Sequence, residues 1–129
     1  MSASDPSSWI ERAERDLIAA QDLYGAKEPL TDIIVYHLQQ SAEKFLKAFI
    51  VSNGARAERT HDLYALMLRC QSFDKTLPDI SRSLIALTKL AGDARYPDTD
   101  VLPTVEQVEE SLRTAQSIKS EILRRIPRP

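Results

Sequence analysis

Apolar residues recur every three or four positions along most of the chain, and sustained alternation with a period of two is absent. That is the signature of amphipathic helices, not of half-buried strands. In the first segment Trp9, Ala13, Leu17, Ala20 and Tyr24 form one stripe. Ser8 with Glu11 reads as an S-x-x-E capping box, so a helix is expected over about 8–24, with Gly25 as a left-handed stop. The second segment follows Pro29, takes Thr31 or Asp32 as its cap, and runs IIVYHLQQSAEKFLKAFIVSN, the longest apolar stretch. At about 100° per residue Ile34, Leu38, Ala42, Phe45, Leu46 and Phe49 share one face. His37, Gln40, Lys44 and Lys47 share the opposite side. This is expected to be the central helix, closed by Asn53-Gly54.

Thr60 is expected to cap a short third helix from His61 to about Cys70, with Leu63, Leu66 and Met67 facing inward. Ile80, Leu84, Leu87 and Ala91 mark a fourth helix, ended by Gly92. Pro97 and Pro103 break the chain before the last one. Thr104 with Gln107 makes a second capping box, and Val105, Val108, Leu112, Ala115, Ile122 and Ile126 form the final stripe. No internal repeat or low-complexity linker divides the sequence. The expected architecture is all-α, a five-helix up-and-down bundle forming a single domain over residues 1–129.

Composition narrows what such a bundle can do. Among 129 residues only three are glycine, too few for a Gly-rich phosphate loop. Any phosphate-bearing ligand would have to be held by side chains, not by a glycine loop. The net charge of −2 removes a globally basic nucleic-acid binder, although local basic patches remain open. One such patch is the C-terminal stretch, where Arg113, Lys119, Arg124, Arg125 and Arg128 face only Glu121. Such an end can touch RNA or an acidic partner, or simply complement the helix C-terminus. A lone Cys70 with two histidines is too small a ligand set for a typical structural metal site, and Cys70 itself is expected to be a packed small residue. No metal and no cofactor are expected. The N-terminal segment has no apolar signal region and no run is long enough to span a membrane, so a cytoplasmic location is the expectation.

Three stretches then acquire meaning together: Tyr36-His37-Leu38-Gln39-Gln40-Ser41-Ala42-Glu43-Lys44-Phe45-Leu46-Lys47-Ala48, Thr60-His61-Asp62-Leu63, and Ala94-Arg95-Tyr96-Pro97-Asp98. In this order, with an N-terminal helix that begins with a tryptophan, they resemble the HEPN family, the higher eukaryote and prokaryote nucleotide-binding domain. The resemblance covers essentially the whole chain. It implies a helical bundle that usually pairs into a homodimer, often associated with a minimal nucleotidyltransferase in a toxin–antitoxin-like pair. It also implies that some members are RNases with an R-x(4–6)-H motif, while others are non-catalytic binding modules.

Arg56-Ala57-Glu58-Arg59-Thr60-His61 satisfies R-x(4)-H literally. Histidine supplies a base for a 2′-hydroxyl and arginine a bidentate cation for phosphorane charge. In the RNase members, however, the motif lies near the start of a later helix, close to where Arg95 stands here without a following histidine. The expected function is therefore a non-catalytic nucleotide- or RNA-binding module, the partner of a nucleotidyltransferase. The alternatives are a metal-independent RNase using Arg56 and His61, and a structural adaptor with no ligand. Candidate binding residues are Arg95, Tyr96, Asp98, Lys44, Lys47 and His61. Pro97 stiffens the Arg95–Tyr96 loop, so the arginine can clamp a phosphate while the aromatic stacks on a base. Structural alternatives accompany each. Arg95 can pair with Asp93 or Asp98 while Tyr96 plugs the bundle end, and Lys47 can pair with Glu43 one turn away. His61 and Asp62 can serve a helix start.

Overall fold

A computed structural model of the chain describes residues 3–97 and 102–127. Asp98, among the candidate binding residues, and Arg128 of the basic tail lie outside them. The described residues form five helices and no strand: α1 (Pro6–Tyr24), α2 (Thr31–Ser52), α3 (Leu63–Phe73), α4 (Ser81–Asp93) and α5 (Val105–Leu123).

The local signals that end these helices partly differ from the expected ones. Helix α1 starts two residues before Ser8, because the Asp5 side chain accepts from the Ser7 N–H and Pro6 supplies a pre-set φ in the first turn. Ser8 is thus an interior residue, not a cap, and its hydroxyl is buried without a partner among the described residues. Helix α2 begins without any side-chain cap, with Leu30 at the N-cap and Thr31 already helical. In α3 the cap is Asp62, not Thr60, and its carboxylate accepts from the N–H groups of Tyr64 and Ala65. Thr60 instead accepts from the Asp62 N–H, one step earlier. The Thr104–Gln107 box is present in both arms, at 3.1 and 2.9 Å. Of the three glycine stops only Gly54 is left-handed, with φ 79°. Gly25 ends α1 in right-handed geometry, and Gly92 lies inside the last turn of α4.

Helix α2 is buried on nearly every side from Ile34 to Val51 and packs against each of the other four helices. Its broad apolar face, from Ile34 through Leu38, Ala42, Phe45 and Leu46 to Phe49, is buried as expected. Each of the larger of these side chains contributes roughly 1.5–3 kcal/mol of burial free energy. Against them lie Ala13, Leu17 and Ala20 of α1 and Val108, Ala115, Ile118 and Ile122 of α5. Small residues at the α1–α2 contact bring the backbones close, and the buried Ser41 hydroxyl donates to the Ala13 carbonyl at 2.8 Å.

The connection 53–62 carries the chain back along α2, so that Gln39 reaches the His61 carbonyl at 2.8 Å while Cys70 Sγ lies 3.4 Å from the Leu46 carbonyl. Helix α3 therefore runs in the same sense as α2. The up-and-down order is carried by α1, α2, α4 and α5, with α3 laid beside the central helix. This return brings His61 to the middle of α2. Cys70 is fully buried, and burial pushes its thiol up to about 12, so it is a packed, inert residue as expected.

Candidate functional site: a groove at the start of α3

The site begins with two glutamine- and glutamate-bearing turns of α2. Gln39 and Glu43 stand four residues apart and therefore point the same way from the helix. Both are buried, yet both are polar, so each needs partners. Glu43 Oε2 accepts from Lys47 Nζ at 3.0 Å, and Glu43 Oε1 accepts from His61 Nδ1 at 2.8 Å. Gln39 Nε2 donates to the His61 carbonyl and, at 3.4 Å, to Glu43 Oε1. Lys47 Nζ also lies 5.6 Å from the centroid of the Trp9 ring, so its charge is held by a carboxylate and an aromatic face.

The consequence for His61 is chemical. A carboxylate has no hydrogen to give, so Nδ1 must carry the proton of that bond, and in the neutral ring Nε2 is left with its lone pair. The His61 side chain is 69% exposed although its partner Glu43 is only 5% exposed. A buried ion pair thus orients an accessible imidazole.

Across from His61 lies Arg95. Together with Gln39, Asp62, Thr88 and Gly92 these residues line a groove of about 290 Å³. Arg95 places its guanidinium 5.5 Å from the Tyr36 ring centroid, and its backbone N–H bonds to the Gly92 carbonyl at 3.3 Å. Tyr96 is 63% exposed and does not plug the bundle end. The α4–α5 hollow of about 400 Å³ and that beside the start of α1, about 710 Å³, are roomier. The groove is singled out by chemistry, since of these three hollows it alone joins an oriented histidine, an arginine and buried polar groups.

The other sequence candidates fall elsewhere. Lys44 pairs with Asp16, whose second oxygen lies 2.9 Å from His37 Nδ1, so Lys44 and His37 tie α2 to α1 and do not line the groove. Lys47 is buried beneath it in the Glu43 pair that its one-turn spacing allows. No free cationic stripe therefore runs along α2. Arg56 is exposed in the α2–α3 connection and is not part of the groove wall. Arg125, read as part of a basic tail, is almost covered. It donates to Asp74, to the carboxylate and carbonyl of Glu121, and to the carbonyl and hydroxyl of Thr76. Gln39, Thr88 and Gly92 were missed as site residues. Gln39 and Glu43 share a helical face in the sequence, but nothing local says that His61 will meet them.

Among the described residues no cluster of three or more His, Cys, Asp or Glu side chains suits a metal ion, and no helix is long and apolar enough to cross a membrane.

The fold is thus a helical bundle whose central helix carries a buried Gln–Glu–Lys set, tied to a histidine before the next helix, in a groove shared with an arginine after α4. The HEPN domain model matches residues 6–126, and the chain belongs to the HEPN family. A solved structure with the same fold is the crystal structure of TT1696 from Thermus thermophilus. It has a TM-score of 0.73 and 24% identity, and the match covers 92% of this chain and 96% of that one. The comparison with curated proteins yields no match.

Proposed function

We propose that this HEPN chain is a non-catalytic nucleotide- or RNA-binding module that works as a homodimer alongside a nucleotidyltransferase. The observation that carries the reading is the meeting of His61 and Arg95 on one groove. Arg95 offers a permanent cation with fork geometry for phosphate, and its neighbour Tyr96 offers an exposed ring for stacking. The groove's volume, about 290 Å³, lies just below the roughly 300–1,000 Å³ typical of small-ligand sites, which leaves room for no more than one nucleotide unit. Exposed Ile33 and Tyr36, one turn apart on α2, give a second copy an apolar surface close to Arg95.

Titration of AMP and of a short single-stranded RNA tests the site. The double variant Arg95→Ala/Tyr96→Ala should bind about tenfold more weakly while its helicity is unchanged. Equal binding by wild type and variant rejects the groove, and a wild type that binds neither probe favours the adaptor reading. Light scattering at micromolar concentration tests the dimer, where the mass of one chain refutes it.

The RNase reading draws support from one feature, the Glu43-oriented imidazole with Nε2 facing outward for proton transfer. Its arginine, Arg56, is not in the groove wall. Loss of RNA degradation in both His61→Ala and Arg56→Ala would establish it. Persistence of the degradation in either variant removes the pair.

A further inference from the structure

Gln39 holds an atom that the fold leaves unsatisfied. The residue is 2% exposed, and its Oε1 is buried with no hydrogen-bond partner among the described residues. Its orientation is fixed by chemistry. Nε2 donates to the His61 carbonyl at 2.8 Å and to Glu43 Oε1 at 3.4 Å, and both of these can only accept. Turning the amide over would set Oε1 against two acceptors, so the orphaned carbonyl cannot be relieved by a flip. A buried acceptor without a donor is costly and calls for a partner.

The groove walls say which partner. None of the groove's own donors reaches Gln39 Oε1: the Asp62 carboxylate accepts only, and the Arg95 backbone N–H is taken by the Gly92 carbonyl. The first N–H groups of α3 are also spoken for. Leu63 N–H bonds to Thr88 Oγ1, and those of Tyr64 and Ala65 bond to Asp62. An anionic cap already occupies that helix terminus, so a phosphate finds no seat there and goes to Arg95. The ligand must then present a hydrogen donor to Gln39 and an anion to Arg95.

We infer that Gln39 is the specificity residue of the groove, accepting an N–H from the exocyclic amine of a nucleobase whose phosphate is held by Arg95. This rests on the nucleotide-binding reading above and deepens it. The class of ligand is a nucleotide with an amino-bearing base, and among such bases adenine and cytosine have counterparts that test the contact directly. Hypoxanthine and uracil carry a carbonyl oxygen where those bases carry the amine, and would set acceptor against acceptor. Because Oε1 is itself buried, the base reaches it by displacing part of the wall, and Arg95 is the long, exposed lining side chain able to move.

Calorimetric titration of the full chain with AMP, IMP, CMP and UMP tests this by ratio. Wild type should bind AMP over IMP and CMP over UMP by roughly tenfold. The near-isosteric Gln39→Met should bring both ratios close to one at unchanged helicity. Should that variant not fold, the side-chain amide resonance of Gln39 in wild type serves instead. It should shift with AMP and stay in place at equal occupancy of IMP. Equal affinity within each pair, or a Gln39 resonance that responds alike to both, overturns the assignment while nucleotide binding stands. If none of the four nucleotides binds, the assignment falls together with the mononucleotide part of the reading above, and the single-stranded RNA titration decides the rest.

Discussion

The two ends of α3 are held by polar clusters that look alike in sequence and behave oppositely in structure. At the C-terminal end Arg125 of the α5 terminus spends its guanidinium on Asp74, Thr76 and Glu121, and every group in that clasp has partners. At the N-terminal end the Gln39–Glu43–Lys47 set grips His61, yet leaves an exposed imidazole and an orphaned amide carbonyl. Both clusters fasten α3 to the bundle. Only the second retains unused hydrogen-bonding capacity, and unused capacity is what a ligand can recognise. Charge alone misleads here: the arginine that looked available for RNA is the one most fully consumed.

The comparison can be broken first at Glu43. Glu43→Ala leaves Lys47 buried without its carboxylate and frees His61, and should cost about 3–5 kcal/mol, read from the midpoint of urea unfolding. A loss below about 1 kcal/mol would mean that Lys47 escapes to water and that the set is not a rigid base for the groove.

Arg125→Met, at the other end, should lower the midpoint by less and leave nucleotide binding untouched, because the clasp and the groove share no residue. Its pH dependence follows from the carboxylates. Asp74 is held below the usual range chiefly by the Thr76 hydroxyl and N–H and then by Arg125, and Glu121 chiefly by its bond from Arg125. A depressed folded-state value stabilises the fold above the unfolded value, near pH 4, and the benefit is lost as pH falls through the folded value. Wild type should therefore lose stability between about pH 5 and pH 3, and Arg125→Met should show a shallower loss across the same window. An identical slope in the two proteins would detach Glu121 from the clasp.

The smallest effects distinguish two glycines that the sequence presents as equivalent. Gly54→Ala must take up a left-handed φ of 79° and should cost about 1 kcal/mol by thermal unfolding. Gly92→Ala sits in helical geometry with open space around it and should gain roughly 0.5–1 kcal/mol. Gains at both positions would remove the left-handed requirement at Gly54.

Much of this was readable from the chain because helices announce themselves locally. Stripes at three- and four-residue spacing gave all five helices, the centrality of α2 and the Thr104–Gln107 box, since each depends on neighbours within a turn or two. Helix starts were read less well. Ser8 and Thr60 had the right chemistry, but Asp5 beside Pro6, and Asp62 close to the α4 residue Thr88, won the positions. Capping residues compete with near neighbours, and the stripe that marks a helix does not say which of them wins.

For the site, the sequence by itself determined which side chains are available: Gln39, Glu43 and Lys47 on one face of one helix, His61 before the next, Arg95 on a proline-stiffened loop. Tertiary structure decided which of them meet. The return of the 53–62 connection along α2 brings His61 to Glu43, and the descent of α4 brings Arg95 to Gln39. Those contacts join segments far apart in the chain, where periodicity carries no information. Burial then decided their roles, turning Lys47 into the base of the groove and leaving the Gln39 carbonyl in want of a donor.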